Sequence, residues 1–359
     1  MHSSFMEKLG IGKVFYFMLL FIPLSIYFAF FGDNLTLTFI TAVIAIIPLA
    51  RIIGVCTGQL ALQTNPTISG LVSATFGNAV ELIISIIALS RGLDRVVEAS
   101  IIGSIIGNIL LLIGISIFIG GLKHKHQKFN KEAIGVSATM LIIVVVAISV
   151  PSVYSFVSPE SEHITILSDA VVIVMALIYI AGLIFSLKTH RDMFDASDEI
   201  KKLHKTPFVS KTTAIMVLLI TTVIVAFEAE FLVRGLEHAA ISIGLTETFI
   251  GVVIIAIITN IAEKSAAIQF ALENKLDLSL EIGLSSAIQI GLFVVPILVL
   301  ISRIFGFGFN LVFTLFEIIA VLFSVMIINY LSSDGKCNWL EGAQIISVYL
   351  ILAIAFFFV

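Results

Sequence analysis

The sequence has little charge, two cysteines and a single tryptophan. Charged residues make up 12% of the 359 residues, hydrophobic residues make up 59%, and the mean hydropathy is +1.15. A soluble globular domain carries about 25% charged residues, so this composition excludes that class. The net charge of −4 argues neither for nor against a soluble partner. The sequence shows no basic face suited to nucleic acid. Cys56 and Cys337 lack metal-type spacing, and we interpret them as ordinary small residues.

The chain has long apolar runs instead. A bilayer core about 30 Å thick requires about 20 apolar residues in one helix, and eleven runs reach or nearly reach that length. They are too long for barrel strands and do not alternate, so they predict an all-α, multi-pass integral membrane protein with about eleven transmembrane helices. The predicted spans are 13–31, 35–53, 66–90, 96–121, 132–151, 164–187, 211–234, 245–271, 278–303, 308–331 and 341–359.

Lysine and arginine are distributed unevenly between the connections. If the N-terminus lies in the cytoplasm, fifteen of these residues fall on the cytoplasmic side, and only Arg91, Arg95, Arg234 and Arg303 fall outside, with Lys264 inside a span. This bias predicts a cytoplasmic N-terminus and an external C-terminus. We expect a prokaryotic-type cell membrane as the location, with the lipid bilayer as the surroundings.

Two segments of the chain resemble each other at an offset of 182 residues. Glu81 lies in "FGNAVELIISIIAL" and Glu263 lies in "ITNIAEKSAAIQF", both in apolar surroundings. The same offset relates Asn78 to Asn260 and Ser104 to Ser286. Adding 182 to the starts of spans two to six gives positions within a few residues of the starts of spans seven to eleven. An odd number of spans reverses the second copy, which predicts an inverted five-plus-five repeat.

The repeat and the longest polar stretch predict four parts of the chain. They are an N-terminal helix over 1–34, a first five-helix repeat over 35–187, a mixed-charge cytoplasmic linker over 188–210 and a second five-helix repeat over 211–359.

An ionisable side chain in the middle of a membrane indicates a functional site. Each asparagine precedes its glutamate by three residues, so a continuous helix would place both on one face. Nearby glycines and hydroxyl residues predict a kink or short unwinding beside each acid, which would free carbonyl oxygens as cation ligands. The glycines are Gly70, Gly77 and Gly251.

The next spans add further oxygen donors in "GSIIGN" and "SSAIQI". The predicted cation and proton site therefore contains oxygen ligands only: Glu81, Glu263, Asn78, Asn260, Ser104, Ser286, Asn108 and Gln289. Hard oxygen donors favour Ca²⁺, whereas zinc or copper would require histidine and cysteine clusters. Glu81 and Glu263 are the predicted metal ligands because two carboxylates match a divalent charge. Their protonation when the ion leaves would avoid an uncompensated buried charge.

The segments "GNAVE" (77–81) with "GSIIGN" and "TNIAE" (259–263) with "SSAIQ" resemble the repeat motifs of the cation/proton (calcium/proton) exchangers of the calcium/cation antiporter superfamily. The resemblance implies a secondary antiporter, not an enzyme, that exchanges Ca²⁺ for protons by alternating access. It also implies that Glu81 and Glu263 bind the cation and take up protons, assisted by the asparagine, serine and glutamine residues. It indicates no cofactor and leaves room for a homo-oligomer.

Some residues depart from the family pattern or lie outside the motifs. The second family motif usually begins with glycine and follows the acid with histidine, where this chain has Thr259 and Lys264. Lys264 would pair with an acid, face a water-filled path or belong to the proton route. Glu228 and Glu230 have either a gating or vestibule role or a snorkelling role at the interface. The stretch "DMFDASDEIKK" resembles the acidic loop between the halves in this family, or is a simple linker. For Glu98, Asp169 and Glu317 we favour structural pairing.

Other functions remain open at this point. Exchange of Na⁺, K⁺ or Mn²⁺, or sodium-coupled calcium exchange, would use the same fold. An ion channel would conduct without dependence on a counter-ion, and an intramembrane aspartyl protease would require two aspartates where the chain has glutamates.

Overall fold

The computed structural model describes residues 13–64, 66–158, 163–190, 193 and 207–359, and these residues are almost entirely helical. Most of the predicted linker, including its acidic stretch, lies outside the described residues. Two short strands, β1 (Gln127–Lys128) and β2 (Lys336–Cys337), pair antiparallel. The helices are α1 (Val14–Phe31), α2 (Leu35–Ala61), α3 (Pro66–Gly77), α4 (Ala79–Ser90), α5 (Asp94–Lys123), α6 (Lys131–Val157), α7 (His163–Thr189), α8 (Lys211–Ile243), α9 (Glu247–Thr259), α10 (Ile261–Leu272), α11 (Leu276–Phe305), α12 (Leu315–Leu331) and α13 (Trp339–Phe358).

The predicted apolar runs all fall on these helices. Among the described residues, eight helices are long and apolar enough to cross a membrane, or nine if α9 and α10, bent by 63°, form one span. The shorter apolar helices α4 and α12 occupy two further predicted spans. The multi-pass helical class is confirmed, and the number of eleven spans stays a prediction.

Several helix boundaries differ from the predicted ones. Helix α2 continues to Ala61 and α8 to Ile243, well beyond the predicted ends at 53 and 234. Helix α12 begins later than predicted, because Gly306 and Gly308 adopt positive φ angles of 75° and 83° and Thr314 caps the helix. Side-chain caps fix many helix starts, as expected for Asn, Ser and Thr. These caps are Asn34, Asn130, Ser210, Thr246, Thr314 and Asn338.

The connections collect at two opposite ends of the helix bundle. At one end β1 pairs with β2, and the Lys123 ammonium donates to the Leu272 carbonyl at 3.0 Å. We call this the lysine end, because it carries the lysine-rich connections around 123–131, 275 and 336. At the other end, which we call the arginine end, Arg91 pairs with Glu230, and Arg303 pairs with Asp169 at 2.9 Å.

Equivalent helices of the two halves run in opposite directions. The start of α2 meets the end of α8, where Thr36 bonds Ser242 at 3.1 Å. The end of α2 meets the start of α8, where the Phe208 N–H donates to Gln59 Oε1 at 3.1 Å. Helix α5 ends beside the short connection that leads into α11, since Lys123 contacts Leu272 at the end of α10. This antiparallel relation is the geometry expected of an inverted repeat.

Helix α5 forms the centre of the bundle. Within its most apolar stretch 83% of residues are buried, compared with 11% for α1 and α7, which lie at the periphery. Helices α5 and α9 are in backbone contact, because a Cβ atom at Gly103 would lie 2.1 Å from the Val252 carbonyl oxygen. Gly251 makes a similar approach to Val96 and Ala99. This crossing fixes α5 against the helix that leads to Asn260.

Candidate cation site

Each predicted acid lies just after a break in a helix. Helix α3 ends at Gly77 and α4 begins at Ala79, while α9 ends at Thr259 and α10 begins at Ile261. The residues at the breaks are Asn78 and Asn260, with φ angles of −106° and −94°. The prediction of a break beside each acid is therefore confirmed. Each asparagine lies at the break and does not share a helix face with its glutamate, because both asparagines leave helical geometry.

The breaks place both carboxylates in the first turn of a new helix. Glu81 lies in the first turn of α4 and Glu263 in the first turn of α10. The first turn of a helix carries unsatisfied N–H groups and the positive end of the helix dipole, which stabilise a negative charge. Two such helix starts directed at one place reduce the cost of keeping carboxylates inside a membrane.

A network of amide and hydroxyl groups joins the two halves beside the acids. Asn108 Nδ2 donates to Ser286 Oγ at 2.8 Å and to Asn260 Oδ1 at 3.2 Å. Asn260 Nδ2 in turn lies 3.3 Å from Ser104 Oγ. All four side chains are buried. These residues come from α5, α11 and the break before α10, so the network crosses between the repeats.

The remaining predicted ligands lie at the edge of this network. Asn78 Nδ2 donates to Gln289 Oε1 at 2.8 Å. A Cβ atom at Gly77 would lie 3.9 Å from Gln289 Oε1 and 4.0 Å from Glu263 Oε1. Glu81 is 5% exposed, and its carboxylate interacts electrostatically with that of Glu263. The structure thus brings together all eight predicted site residues.

Several buried oxygens at the site have no hydrogen-bond partner in the described parts of the chain. They are Glu81 Oε2, Glu263 Oε2 and Asn108 Oδ1. A buried acceptor without a partner is costly, so these atoms require water, a proton or a cation. Carboxylate and amide oxygens in a flexible set suit Ca²⁺ better than they suit Mg²⁺, which demands a rigid octahedron.

Thr259 is a site residue that sequence reasoning did not select. Its hydroxyl accepts a bond from Asn260 Nδ2 at 3.1 Å. Its single proton is shared between two acceptors, the Ile255 carbonyl at 3.0 Å and the Glu81 carboxylate. The available signal was its position at the start of the second motif, where the related family usually has glycine. Thr259 therefore connects the acid of one repeat to the asparagine of the other.

Lys264 lies inside the site. Its Nζ donates to the Ala256 carbonyl at 3.2 Å and interacts electrostatically with both Glu81 and Glu263. The structure therefore agrees with the expectation that Lys264 lies beside an acid. Its position on a water-filled path or in the proton route stays a prediction.

Glu228 and Glu230 lie apart from the eight site residues. Because α8 continues to Ile243, they lie within the helix and not at its end. Glu228 is buried and accepts a hydrogen bond from Ser25 of α1 at 2.8 Å. Glu230 pairs with Arg91 at the arginine end. The two acids therefore connect α8 to α1 and to the residue that follows α4. Their gating role stays a prediction.

The structure confirms structural pairing for the three other acids. Glu98 accepts a bond from Arg95 at 2.7 Å, and Asp169 pairs with Arg303. Glu317 closes the capping box at the start of α12 through Thr314.

The fold defines a class, an inverted-repeat membrane transporter, and the carboxylates of Glu81 and Glu263 lie close together at the breaks of its two repeats. The chain belongs to the sodium/calcium exchanger protein family, which matches residues 34–188 and 213–358.

Several Ca²⁺/H⁺ antiporters are similar to this chain over nearly its whole length. The chain is 41% identical over 362 residues to the Ca²⁺/H⁺ antiporter of Aphanothece halophytica, with 97% of both chains covered. It is 40% identical over 338 residues to the Ca²⁺/H⁺ antiporter ChaA of Bacillus subtilis (strain 168), with 94% of this chain and 96% of that one covered. The crystal structure of the Ca²⁺/H⁺ antiporter protein YfkE is 37% identical with a TM-score of 0.84, covering 97% of this chain and 100% of that chain. The resemblance to exchangers is confirmed, and the protein is a membrane transporter.

Proposed function

We propose that this protein is a secondary active antiporter that exports cytoplasmic Ca²⁺ in exchange for protons, with Glu81 and Glu263 as the shared cation and proton site. The observation that carries the proposal is the pair of site carboxylates whose second oxygens lack partners in the described parts of the chain. Relatives about 40% identical over most of the chain are Ca²⁺/H⁺ antiporters, which supports the same ions here.

The site chemistry explains why cation and proton would exchange. A buried ion pair is tolerated only if charge and hydrogen bonding are balanced. When Ca²⁺ leaves, the uncovered carboxylates of Glu81 and Glu263 would repel each other in a medium of low dielectric constant, so protons replace the cation. Binding of the next Ca²⁺ releases those protons. The two ions therefore use the same oxygens and cannot occupy them fully at the same time.

Alternating access follows from the inverted repeat. The site lies where the breaks of the two repeats meet, which is the usual place of a substrate site in transporters of this architecture. Movement of one helix group relative to the other would expose the acids first to one end of the bundle and then to the other. The lysine end is assigned to the cytoplasm by the positive-inside rule. The two segments matched by the family begin and end within two residues of the predicted repeats, which supports the division at 188–210.

The test is Ca²⁺ uptake into proteoliposomes with an imposed pH gradient. We expect gradient-driven uptake by the unmodified protein and loss of that uptake in Glu81→Gln and in Glu263→Gln. Glutamine has nearly the same shape as glutamate, but it carries no negative charge to attract a cation and it does not take up or release a proton. Glu132→Gln is the matched control: Glu132 also lies in the first turn of a helix, α6, but is exposed at the lysine end. It should retain uptake.

Robust proton-coupled uptake in either site variant would refute this assignment. The family name itself favours a second candidate, sodium-coupled calcium exchange. Competition by Na⁺, K⁺ and Mn²⁺ in the same vesicles separates the two: uptake that ignores the pH gradient but follows a sodium gradient would keep the fold and change the coupling ion.

A further inference from the structure

We propose that the Lys264 ammonium acts as a tethered cation that fills one cation position of the site and so determines ion selectivity. It would restrict the site to a single mobile divalent ion and exclude monovalent cations such as Na⁺. This inference deepens the proposed function and rests on its cation site, since it concerns which ions Glu81 and Glu263 accept.

The position of the ammonium is the first argument. Lys264 Nζ lies 3.2 Å from the carbonyl oxygen of Ala256, in the last turn of α9 before the break. Asn260 Nδ2 donates to the same oxygen at 3.1 Å. Carbonyl oxygens beside a broken membrane helix are common ligands for monovalent cations in transporters. In this protein a positive group of the chain itself already occupies such an oxygen.

The second argument is charge. The ammonium interacts with the carboxylates of both Glu263 and Glu81, so it compensates part of their negative charge without any ion from solution. A monovalent cation would have to share these acids with a positive group that is covalently attached to the chain. A divalent cation carries twice the charge of a monovalent cation and is attracted more strongly to the two carboxylates. It can therefore bind beside the ammonium where a monovalent cation cannot.

The ammonium lies beside a glycine of the other repeat. A Cβ atom at Gly107 would lie 4.0 Å from Lys264 Nζ, so the side chain reaches across to the backbone of α5. Gly107 begins a π-helical turn of α5 that also carries Asn108. The ammonium therefore lies between the two repeats, beside the amide network.

The sequence offset shows that the fold does not itself require this lysine. The position equivalent to Lys264 in the first repeat is 182 residues earlier and is Leu82, a partly buried apolar residue. The charge is thus present in only one half of an otherwise matched pair of motifs. An unmatched charge beside paired ligands is what a selectivity function would need.

The test compares variants that remove the charge with one that retains it. Lys264→Gln and Lys264→Met remove the ammonium, and methionine also keeps the length and apolar character of the stem. Lys264→Arg keeps the positive charge. Each full-length variant is purified and measured by equilibrium binding of radioactive Ca²⁺ in detergent, with Na⁺ as competitor, and by gradient-driven Ca²⁺ uptake in proteoliposomes.

We expect the two neutral variants to bind Ca²⁺ on the order of tenfold more tightly or better, because a unit charge a few ångström from a divalent ion has at least that effect even with strong screening. We also expect Na⁺ to compete with Ca²⁺ in the neutral variants but not in the unmodified protein or in Lys264→Arg. The binding assay does not depend on proton coupling. Failure of proton-driven uptake in the unmodified protein would therefore challenge the proposed function separately.

Unchanged Ca²⁺ affinity and continued indifference to Na⁺ in both neutral variants would overturn the inference. Effective competition by Na⁺ in the unmodified protein would also overturn it, and that measurement requires no variant to fold.

Discussion

Asn108 is one of the side chains that join the two halves of the site. It is fully buried, donates to Ser286 and Asn260, and its own Oδ1 has no hydrogen-bond partner among the described residues. We infer that Asn108 combines two functions at the proposed cation site. The amide N–H groups orient the neighbouring oxygens, and the amide oxygen is available to a cation.

We expect Asn108→Ala to raise the KM for Ca²⁺ about tenfold, because one neutral oxygen ligand and the orientation of two others are lost, at a cost of about 1–1.5 kcal/mol. The measurement is Ca²⁺ uptake as a function of concentration. Asn329→Ala serves as the control, since Asn329 lies in α12 and its amide bonds only the Val325 carbonyl of its own helix in the described structure. Equal KM values for the two variants would remove Asn108 from the ligand set.

The sequence selected residues that lie together at the candidate site, but it did not predict their contacts in the network. An offset of 182 residues selected Glu81 and Glu263, because an acid inside an apolar run is costly and its duplication in register indicates a function. The sequence did not point to Thr259, because a threonine in an apolar helix commonly donates to a backbone carbonyl of the preceding turn. Thr259 makes such a bond to the Ile255 carbonyl. Its contact with Glu81 joins two repeats and is visible only after they are packed.

The helix breaks and tight helix crossings form the frame of the site. Helix α5 contains a π-helical turn over Gly107–Leu112, and α11 contains one over Ile290–Val294. Both turns lie at nearly equivalent positions of the repeats, beside Asn108 and Gln289. Such turns often occur at functional sites because they redirect side chains without ending a helix.

We expect Gly103→Ala to destabilise the protein by about 1–3 kcal/mol, because the new Cβ would overlap the Val252 carbonyl and force α5 and α9 apart. The measurement is the melting temperature of the detergent-solubilised protein, together with Ca²⁺ uptake. Gly135→Ala in α6 is the control, because a Cβ atom there would meet nothing within 4 Å. Alanine is the better helix former, so the control should keep or slightly raise the melting temperature. Equal melting temperatures would show that the two helices can separate at little cost.

The whole molecule has two chemically different ends. The lysine end holds β1 and β2, and the arginine end holds the pairs of Arg91 with Glu230 and Arg303 with Asp169. Helices α2 and α8 are antiparallel, so the start of each one lies beside the end of the other. In the proposed mechanism, a cation that crosses between these ends passes the breaks at Asn78 and Asn260.

We expect the lysine end to face the cytoplasm. A membrane-impermeant maleimide should label Glu237→Cys in intact cells and Lys125→Cys only in inverted vesicles, since both positions are exposed at opposite ends. The native cysteines Cys56 and Cys337 should not be labelled, because both are buried. Burial, and then the charges of Glu341 and Asp334, raise the pKa of the Cys337 thiol, so it stays protonated and unreactive at neutral pH. The reverse labelling pattern would invert the proposed direction of transport.

The sequence by itself determined the class, the duplication and the two acids of this protein. Apolar runs of membrane length leave little choice but helices, and an odd-numbered duplication reverses the second half. Tertiary structure decided what depends on contacts between distant segments. These include the close approach of α5 and α9, the contact of Thr259 with Glu81, and the position of the Lys264 ammonium on the Ala256 carbonyl beside both acids. The physical reason is that an apolar run shows where a helix lies, whereas the partners of a polar group inside it are set by which helices meet at the break.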